Sequence, residues 1–342
     1  MKDHPIEPAY KPPFVLTEEI TGLIADIAEL TGRITVGNTL RRNPTLRREN
    51  RIRTIYSSLA IEQNTLTMEQ VTAVLNGKRV LAPPKDIAEV KNAYEIYERL
   101  ETLNPFSEED LLKAHGVMLR GLSGEAGQFR SGNVGVVDSE GRVLHFGTLP
   151  EYVPGLVEQL LLWVRESTSP LLIKSCVFHY EFELIHPFAD GNGRMGRLWH
   201  TLLLSRWQPL FAWLPVESII HDRQADYYAA INVSNQAANS TDFIFFMLSA
   251  IKAALLEAQE TNTGLQTSSE STAVDTRLHS PEGRWIVVQA YLRKHGSIRN
   301  ADLQRLLQIS TATASRLLRE WTADGKVKKE RSGSYWTYRL SE

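Results

Sequence analysis

The chain has 342 residues, of which 42% are hydrophobic and 23% are charged, a balance typical of soluble globular proteins. Its single cysteine, Cys176, excludes a disulfide framework. No stretch approaches the roughly 18 consecutive apolar residues that a membrane-spanning helix needs. We therefore expect a cytoplasmic protein of two or three domains with no membrane partner.

The net charge of -2 hides an uneven distribution of charged residues. From Arg277 to Glu342 there are 13 Lys and Arg but only 6 Asp and Glu, so the rest of the chain holds 25 of the 38 basic and 34 of the 40 acidic residues. A basic module attached to an acidic body predicts a polyanionic partner for the module alone.

The first 120 residues predict a helical region. Residues 1–15 are rich in proline, so we expect them to be extended and to wrap the body rather than to form a helix. After Thr17, apolar residues recur at helical spacing. The pattern predicts helices that begin near 17 and then cover about 49–63, 67–76, 84–101 and 108–120.

Residues 127–150 interrupt the helical pattern. Two short runs rich in β-branched residues flank a glycine-containing turn, which predicts a β-hairpin. A lone hairpin has no sheet to join and is marginally stable unless it covers something. Its first run, Val134, Gly135, Val136 and Val137, is interpreted either as a flap over a site or as a structural edge.

The stretch 186–197 reads HPFADGNGRMGR and follows a predicted apolar helix over 171–185. Its glycines, and the start of the helix behind them, predict a cradle of backbone N–H groups for an anion. Arg194 and Arg197 lie three residues apart and would share one helical face. Asp190 would hold a divalent metal, and His186 has the pKa range of a general base.

Further helices are predicted at 152–166, 193–207, 223–236 and 241–259. The segment 260–280 is rich in Ser and Thr and is predicted to be a linker. Residues 281–342 then show the order helix, helix–turn–helix, hairpin, which is typical of a winged helix. This module is interpreted as DNA-binding or as a protein-interaction or dimerisation domain. The candidate DNA contacts are Arg316, Arg319, Lys328, Lys329 and Arg331.

The stretch 186–197 resembles the HPFx[D/E]GNGRxxR motif of the Fic family at every defining position. The resemblance covers roughly residues 10–255 and also includes His179, Tyr180 and the hairpin after Gly127. It implies an all-α Fic core at 101–259 with a β-hairpin flap, preceded by a Fic-N region at 1–100. A separate winged helix-turn-helix domain would occupy 281–342.

The resemblance also implies an activity, since most Fic proteins transfer AMP from ATP to a Ser, Thr or Tyr hydroxyl of a target protein. His186 would be the base, and Asp190 would hold Mg²⁺. Arg194 would contact the β-phosphate and Arg197 the γ-phosphate. The flap would bind the target by strand addition. The nucleotide site would consist of Gly191, Asn192, Gly193, Arg194, Gly196, Arg197, Tyr227, Tyr228 and Asn235.

Ser58 and Glu62 resemble the family's inhibitory helix, written [S/T]xxxE[G/N]. The resemblance implies that Glu62 pairs with Arg197 and prevents productive binding of the γ-phosphate. The motif has Gly or Asn after the glutamate, whereas this chain has Gln63. Since Gly or Asn there would end the helix in the left-handed conformation, we expect Asn64 to take over that task.

Two other classes of function are open at this point. One is a different reaction at the same site, such as removal of AMP, phosphoryl transfer or use of another nucleotide. The other is a winged-helix transcription regulator that uses the nucleotide site as a sensor. A homodimer is also open.

Overall fold

The computed structural model describes residues 10–37, 43–137, 143–146, 148–278, 281–307, 309–332 and 335–341. It is mostly helical, as predicted, and divides into two compact units, 1–262 and 263–342. The first unit contains helices α1 (Glu18–Gly37), α2 (Pro44–Ile61), α3 (Met68–Leu75), α4 (Pro84–Glu98), α5 (Glu108–Met118), α6 (Val153–Glu166), α7 (Leu171–Ile185), α8 (Asn192–Trp207), α9 (Val216–Asp222), α10 (Gln224–Ala237) and the start of α11 (Thr241–Leu278). Short 3₁₀ helices lie at Leu100–Thr102, Pro150–Tyr152 and Pro209–Trp213.

Helices α7 and α8 form the centre of the first unit. Almost every side chain of α7 is buried, and its sequence shows little amphipathic pattern because neighbours cover it on all sides. The core between and around the two helices includes Phe178, Phe182, Leu198, Trp199 and Leu202, all fully buried. This packing fixes the short loop that joins the two helices, residues 186–191.

Helix α2 begins at Pro44, five residues before the predicted start. The Asn43 side chain caps it by accepting a hydrogen bond from the Leu46 backbone N–H at 3.1 Å. Pro44 fits at the first helical position because its missing N–H would have no partner there.

The C-terminal end of α2 corrects our expectation for Asn64. Gln63, not Asn64, adopts the left-handed conformation, with φ of 65°. The Gln63 N–H donates to Ala60 O at 3.0 Å and the Asn64 N–H to Leu59 O at 3.1 Å. These two bonds form a Schellman motif, so the residue directly after Glu62 ends the helix although it is not glycine.

The N-terminal segment is extended and lies against the body, as predicted for the part that the structure describes. The Tyr10 hydroxyl donates to the Glu181 carboxylate at 2.8 Å. Pro13 O accepts a hydrogen bond from the Ser240 N–H at 2.9 Å. The segment therefore connects α7 to the start of α11.

The predicted hairpin is present as two antiparallel strands, β1 (Gly135–Val137) and β2 (Val143–Phe146). Gly135 pairs with Phe146, and the register shifts between Val136 and Val137. Val134 lies just before β1. The turn, 138–142, lies outside the described residues.

The second unit contains α12 (Pro281–His295), α13 (Asn300–Leu307), α14 (Thr311–Ala323) and the antiparallel strands β3 (Val327–Ser332) and β4 (Tyr335–Leu340). Ser310 caps α14, as its position predicts, by accepting from the Thr313 N–H. A separate hydrophobic core holds the helices and the hairpin together. It consists of Val288, Leu292, Ile298, Leu303, Leu307, Ala314, Leu317, Leu318, Trp321 and Val327.

Most of the predicted linker is helical. Helix α11 continues to Leu278, whereas we expected it to end near Gln259. The segment contains no proline and only one glycine, Gly264, so nothing in it forces the helix to stop. The boundary between the two units still falls inside this segment, after Asn262.

We predict that Gln63→Gly stabilises the protein. A side chain in the left-handed region costs about 1 kcal/mol relative to glycine, so the free energy of unfolding should rise by about that amount. Urea unfolding of the purified chain measures the change. The matched control is Gln128→Gly, where φ is not positive, and this change should destabilise; a loss of stability in Gln63→Gly would contradict the prediction.

Candidate active site

The loop between α7 and α8 contains two residues with positive φ. His186 ends α7 in the left-handed conformation, with φ of 53°, and Gly191 precedes α8 with φ of 86°. A Cβ on Gly191 would lie 2.6 Å from Leu119 Cδ2, so only glycine fits. Between them, Phe188 is fully buried. The backbone conformation at the two ends of the loop therefore fixes the shape of the turn.

Asn192 closes this loop from inside. Its side-chain oxygen accepts from the Phe188 N–H and its amide donates to Phe188 O, both at 2.8 Å. The side chain is 3% exposed. Its amide therefore shapes the cradle, and a direct contact between Asn192 and a phosphate stays a prediction.

His115 on α5 supports the loop from below, and sequence reasoning did not identify it. Its Nδ1 accepts from the Gly127 N–H at 2.9 Å, so Nε2 carries the proton and donates to Asp190 O at 3.0 Å. The ring stacks on Phe188, with centroids 3.7 Å apart. Burial lowers the pKa of His115, whereas the hydrogen bond to the Asp190 carbonyl raises it. The effect of burial is larger and favours the neutral ring.

Arg130 ties the base of the hairpin to the loop. It is 3% exposed, and its Nε donates to His186 O at 2.7 Å. Other guanidinium nitrogens donate to the carbonyls of Gly132 and Thr148, on either side of the hairpin. Four backbone carbonyls surround this cation when Ile185 O is included. Arg130 thus fixes the hairpin against the loop, a contact that spacing in the sequence does not reveal.

The His186 ring has a defined tautomer. Its Nδ1 lies 3.3 Å from Glu183 O, and a carbonyl oxygen only accepts, so Nδ1 carries the proton of the neutral ring. The basic lone pair is then on Nε2. The Glu183 carboxylate lies 3.9 Å from His186 Nδ1, and burial raises the pKa of Glu183 to about 7, with Arg197 opposing and Glu62 adding to the shift.

Arg197 is 1% exposed, and its hydrogen-bond partners in the described part of the chain all lie at the end of α2. Its Nε donates to Ser58 Oγ at 3.0 Å, and one terminal nitrogen donates to Ser58 O at 3.0 Å and to Glu62 Oε1 at 2.7 Å. A Cβ on Gly193 would lie 2.2 Å from the same Glu62 oxygen. The Glu62 carboxylate therefore sits at the N-terminus of α8, in the position that suits an anion.

Arg194 is also buried, and it bridges two carboxylates. It donates to Asp190 Oδ1 at 2.7 Å and to Glu89 Oε1 on α4 at 3.2 Å. Sequence reasoning identified Arg194 and Asp190 but not Glu89. Gly196 faces α7, where its Cβ would lie 3.0 Å from His179, so it allows the two helices to approach closely. A nucleotide contact at Gly196 stays a prediction.

A cavity of about 230 Å³ opens beside the loop. The cavity is lined by Glu62, His186, Arg197 and residues 191–193, together with residues of α7 and α10. Tyr227 is buried and donates or accepts a hydrogen bond with His179 at 3.1 Å, whereas Tyr228 is 42% exposed at the rim. Asn235 accepts from the Tyr180 hydroxyl at 2.9 Å. All three predicted adenosine contacts therefore line one cavity with the predicted base.

The acidic groups do not form a metal cage by themselves. Among the described residues, no group of three or more His, Cys, Asp or Glu converges on one point. Asp190 lines the cavity, and its side chain is 47% exposed. One exposed carboxylate beside an anion cradle fits Mg²⁺, which is usually held by one or two carboxylates and the phosphates of a substrate.

Comparison with known proteins identifies the family. A statistical model of the Fic/DOC family matches residues 105–204. A crystal structure of a Fic family protein from Desulfovibrio desulfuricans G20 is 43% identical, covers 97% of this chain and 98% of that chain, and superimposes with a TM-score of 0.72. This chain belongs to the Fic family.

More distant Fic proteins share part of the chain. Protein adenylyltransferase fic-1 from Caenorhabditis elegans is 33% identical over 58% of this chain, which spans 40% of the nematode protein. A probable protein adenylyltransferase from Aquifex aeolicus is 31% identical over 41% of this chain, which spans 43% of that protein. A structure of Fic-1 residues 134–508 from C. elegans shares the fold, with a TM-score of 0.60 and 24% identity over 73% of each chain.

None of the helices in the described part of the chain is both long enough and apolar enough to span a membrane.

We predict that Gly191→Ala damages the loop. The methyl group would collide with Leu119, and alanine would be strained at the positive φ that the loop requires. We therefore expect a loss of roughly 1–3 kcal/mol in the free energy of unfolding. Chemical denaturation measures it. Gly132→Ala is the control, because a Cβ there meets no atom within 4 Å and φ is not positive; equal stabilities of the two variants would contradict the prediction.

Proposed function

We propose that this Fic protein transfers AMP from ATP to a Ser, Thr or Tyr hydroxyl of a target protein. One observation carries the proposal: His186 and the N-terminus of α8 line the same cavity, so a base and an anion cradle face one reaction space. The related proteins named adenylyltransferases support it.

The reaction requires a proton acceptor next to the attacking hydroxyl. With its proton on Nδ1, His186 would receive the hydroxyl proton at Nε2 while the oxygen attacks the α-phosphorus. The bond from the α-phosphorus to the bridging oxygen breaks, and pyrophosphate leaves. The backbone N–H groups of Gly191, Asn192 and Gly193 would hold the negative charge that develops at the phosphates.

Asp190 would hold Mg²⁺ beside the α- and β-phosphates. When bound, the ion would neutralise charge on the phosphates and on the leaving pyrophosphate. Within the chain, Asp190 Oδ1 accepts a hydrogen bond from Arg194 at 2.7 Å, so the Asp190 carboxylate would have both the arginine and the ion as partners. Arg194 would then contact the β-phosphate, and Arg197 the γ-phosphate.

Glu62 would act as an internal inhibitor. Its carboxylate occupies the N-terminus of α8 and neutralises Arg197, so a γ-phosphate would meet both a negative charge and an occupied arginine. The Schellman motif at Gln63 holds this glutamate at the end of α2. The hairpin would align the target, because in the described part of the chain β1 pairs only with β2, which leaves its other edge for a target strand.

We predict that Glu62→Gly increases the incorporation of label from α-labelled ATP, both into proteins of a lysate and into the chain itself. Even ~1.4 kcal/mol of restraint corresponds to a factor of ten, so we expect about tenfold or more. Gel autoradiography after incubation with α- or γ-labelled ATP measures it. Adding His186→Ala to Glu62→Gly should reduce the signal by about a hundredfold while nucleotide binding persists.

The same experiment separates the alternatives. Label from the γ-phosphate would favour phosphoryl transfer instead of AMP transfer. Loss of AMP from a modified target, with no incorporation, would favour the reverse reaction. An unchanged signal in Glu62→Gly would contradict the inhibitory role of Glu62.

We further propose that the second unit is a winged helix-turn-helix domain that binds DNA. The order of its elements supports the fold, with β3 and β4 as the wing. All five predicted contact residues are exposed, and among the described residues only Arg316 has a carboxylate partner, Glu320 at 2.7 Å. Lys329 and Arg331 also flank Trp336, an exposed aromatic on the wing.

We predict that replacing Lys328, Lys329 and Arg331 by alanine weakens duplex DNA binding. For each phosphate that the variant no longer neutralises, the slope of log K against log salt should become shallower by about 0.9. Fluorescence anisotropy at several salt concentrations measures both quantities. Lys113→Ala in the first unit is the control and should change neither; DNA affinity that is absent or insensitive to salt would favour a protein-interaction domain.

A further inference from the structure

Arg194 carries a buried charge whose direct partners are both carboxylates. Its side chain is 3% exposed, one terminal nitrogen contacts Glu89, the other contacts Asp190, and its Nε has no hydrogen-bond partner among the described residues. Arg194 does not line the cavity. It is thus held beside the cradle and does not point into the reaction space.

Glu89 is almost as buried as Arg194, and Arg194 is its main charged partner. Its side chain is 7% exposed. The other cation paired with it in the described part of the chain is Lys85, which is 3.9 Å away and 67% exposed, so that pair contributes little. A buried carboxylate requires compensation by an opposite charge or by hydrogen bonds. Glu89 therefore holds Arg194 firmly.

Glu89 is also bound to the end of the inhibitory helix. Its second oxygen accepts from Asn64 Nδ2 at 2.7 Å. Asn64 is the residue whose backbone N–H completes the Schellman motif after Glu62. The Asn64 amide and the Thr65 N–H bind Asp86 on the same helix, α4. One continuous path thus runs from the end of α2 through Asn64 and Glu89 to Arg194 and Asp190.

We propose that Glu89 is a positioning residue for Arg194 and a second restraint on the nucleotide site, distinct from Glu62. Glu62 restrains Arg197, whereas Glu89 holds Arg194 against Asp190 and couples both to the end of α2. The inference rests on the proposed function, in which Arg194 serves the β-phosphate and Arg197 the γ-phosphate. It predicts that a substitution of Glu62 changes the affinity only for a nucleotide with three phosphates, whereas a substitution of Glu89 changes the affinity for nucleotides with two or three.

The test compares the binding of AMP, ADP and ATP, each with Mg²⁺, to the full chain by calorimetry. Glu62→Gly should raise the affinity for ATP only. Glu89→Gln removes a buried negative charge from the site, so it should raise the affinities for ADP and ATP about fivefold or more and leave AMP unchanged. Glu95→Gln is the matched control on α4, since Glu95 binds Arg120 at the surface and should change nothing.

The coupling to α2 is measured without nucleotide. Hydrogen exchange of the backbone amides at 63–66 should be faster in Glu89→Gln than in the wild-type chain and in Glu95→Gln. If Glu89→Gln does not fold, Glu89→Asp replaces it in both experiments. Aspartate keeps the charge but is too short to reach Arg194 as well, so the gain in ADP and ATP affinity and the faster exchange at 63–66 should both be smaller.

The failures are distinguishable. If Glu62→Gly gains ATP affinity but Glu89→Gln loses ADP affinity or leaves it unchanged, the inference is overturned and the proposed function stands. If no variant binds any nucleotide, the proposed function is overturned. Unchanged exchange at 63–66 overturns the coupling through Asn64 whatever the nucleotide results.

Discussion

The neutralisation of Arg197 is the interaction on which the arrangement of the site depends. A guanidinium that is only 1% exposed requires hydrogen-bond acceptors within the protein. Among the described residues, the acceptors bound to Arg197 are at the end of α2. Burial opposes its charge, yet Glu62 and neighbouring acidic groups raise the pKa of Arg197 further than burial lowers it. Any ligand that displaces Glu62 must therefore supply an anion in its place, which a phosphate does.

The loop that contains the proposed base is rigid for several independent reasons. Its two ends have positive φ, its interior is closed by Asn192, and His115 and Arg130 hold its backbone carbonyls from two sides. Rigid positioning matters because the proposed chemistry leaves little for the protein to do except align a hydroxyl, a base and the phosphates. In the proposed function, regulation would then depend on the neighbouring parts of the first unit, namely the end of α2 and the hairpin.

Most of the fold was predictable, because the helical periodicity is strong and the hairpin interrupts it clearly. The extents of α7 and α8 agree with prediction to within one residue, and both predicted hairpins are present. Helix α9 was not predicted. The other errors lie at helix ends: α2 begins earlier because Asn43 caps it, Gln63 takes a conformation usual for glycine, and α11 continues because nothing in 260–278 stops it. Helix ends depend on a few hydrogen bonds, which spacing alone does not show.

By itself, the sequence determined the local chemistry of 186–197: the candidate base, the glycine turn, the two arginines and the single acidic residue all lie within one short stretch. The family resemblance implied the pair of Glu62 and Arg197, which the structure confirms. Only the tertiary structure decided the other partners of those groups. Glu62 and Ser58 lie more than 130 positions from Arg197, and Glu89 lies 105 positions from Arg194. No periodicity in a chain specifies which buried cation a distant carboxylate will neutralise. That choice follows from how α2 and α4 pack against α8, since a buried charge accepts whatever opposite charge the packing brings within reach.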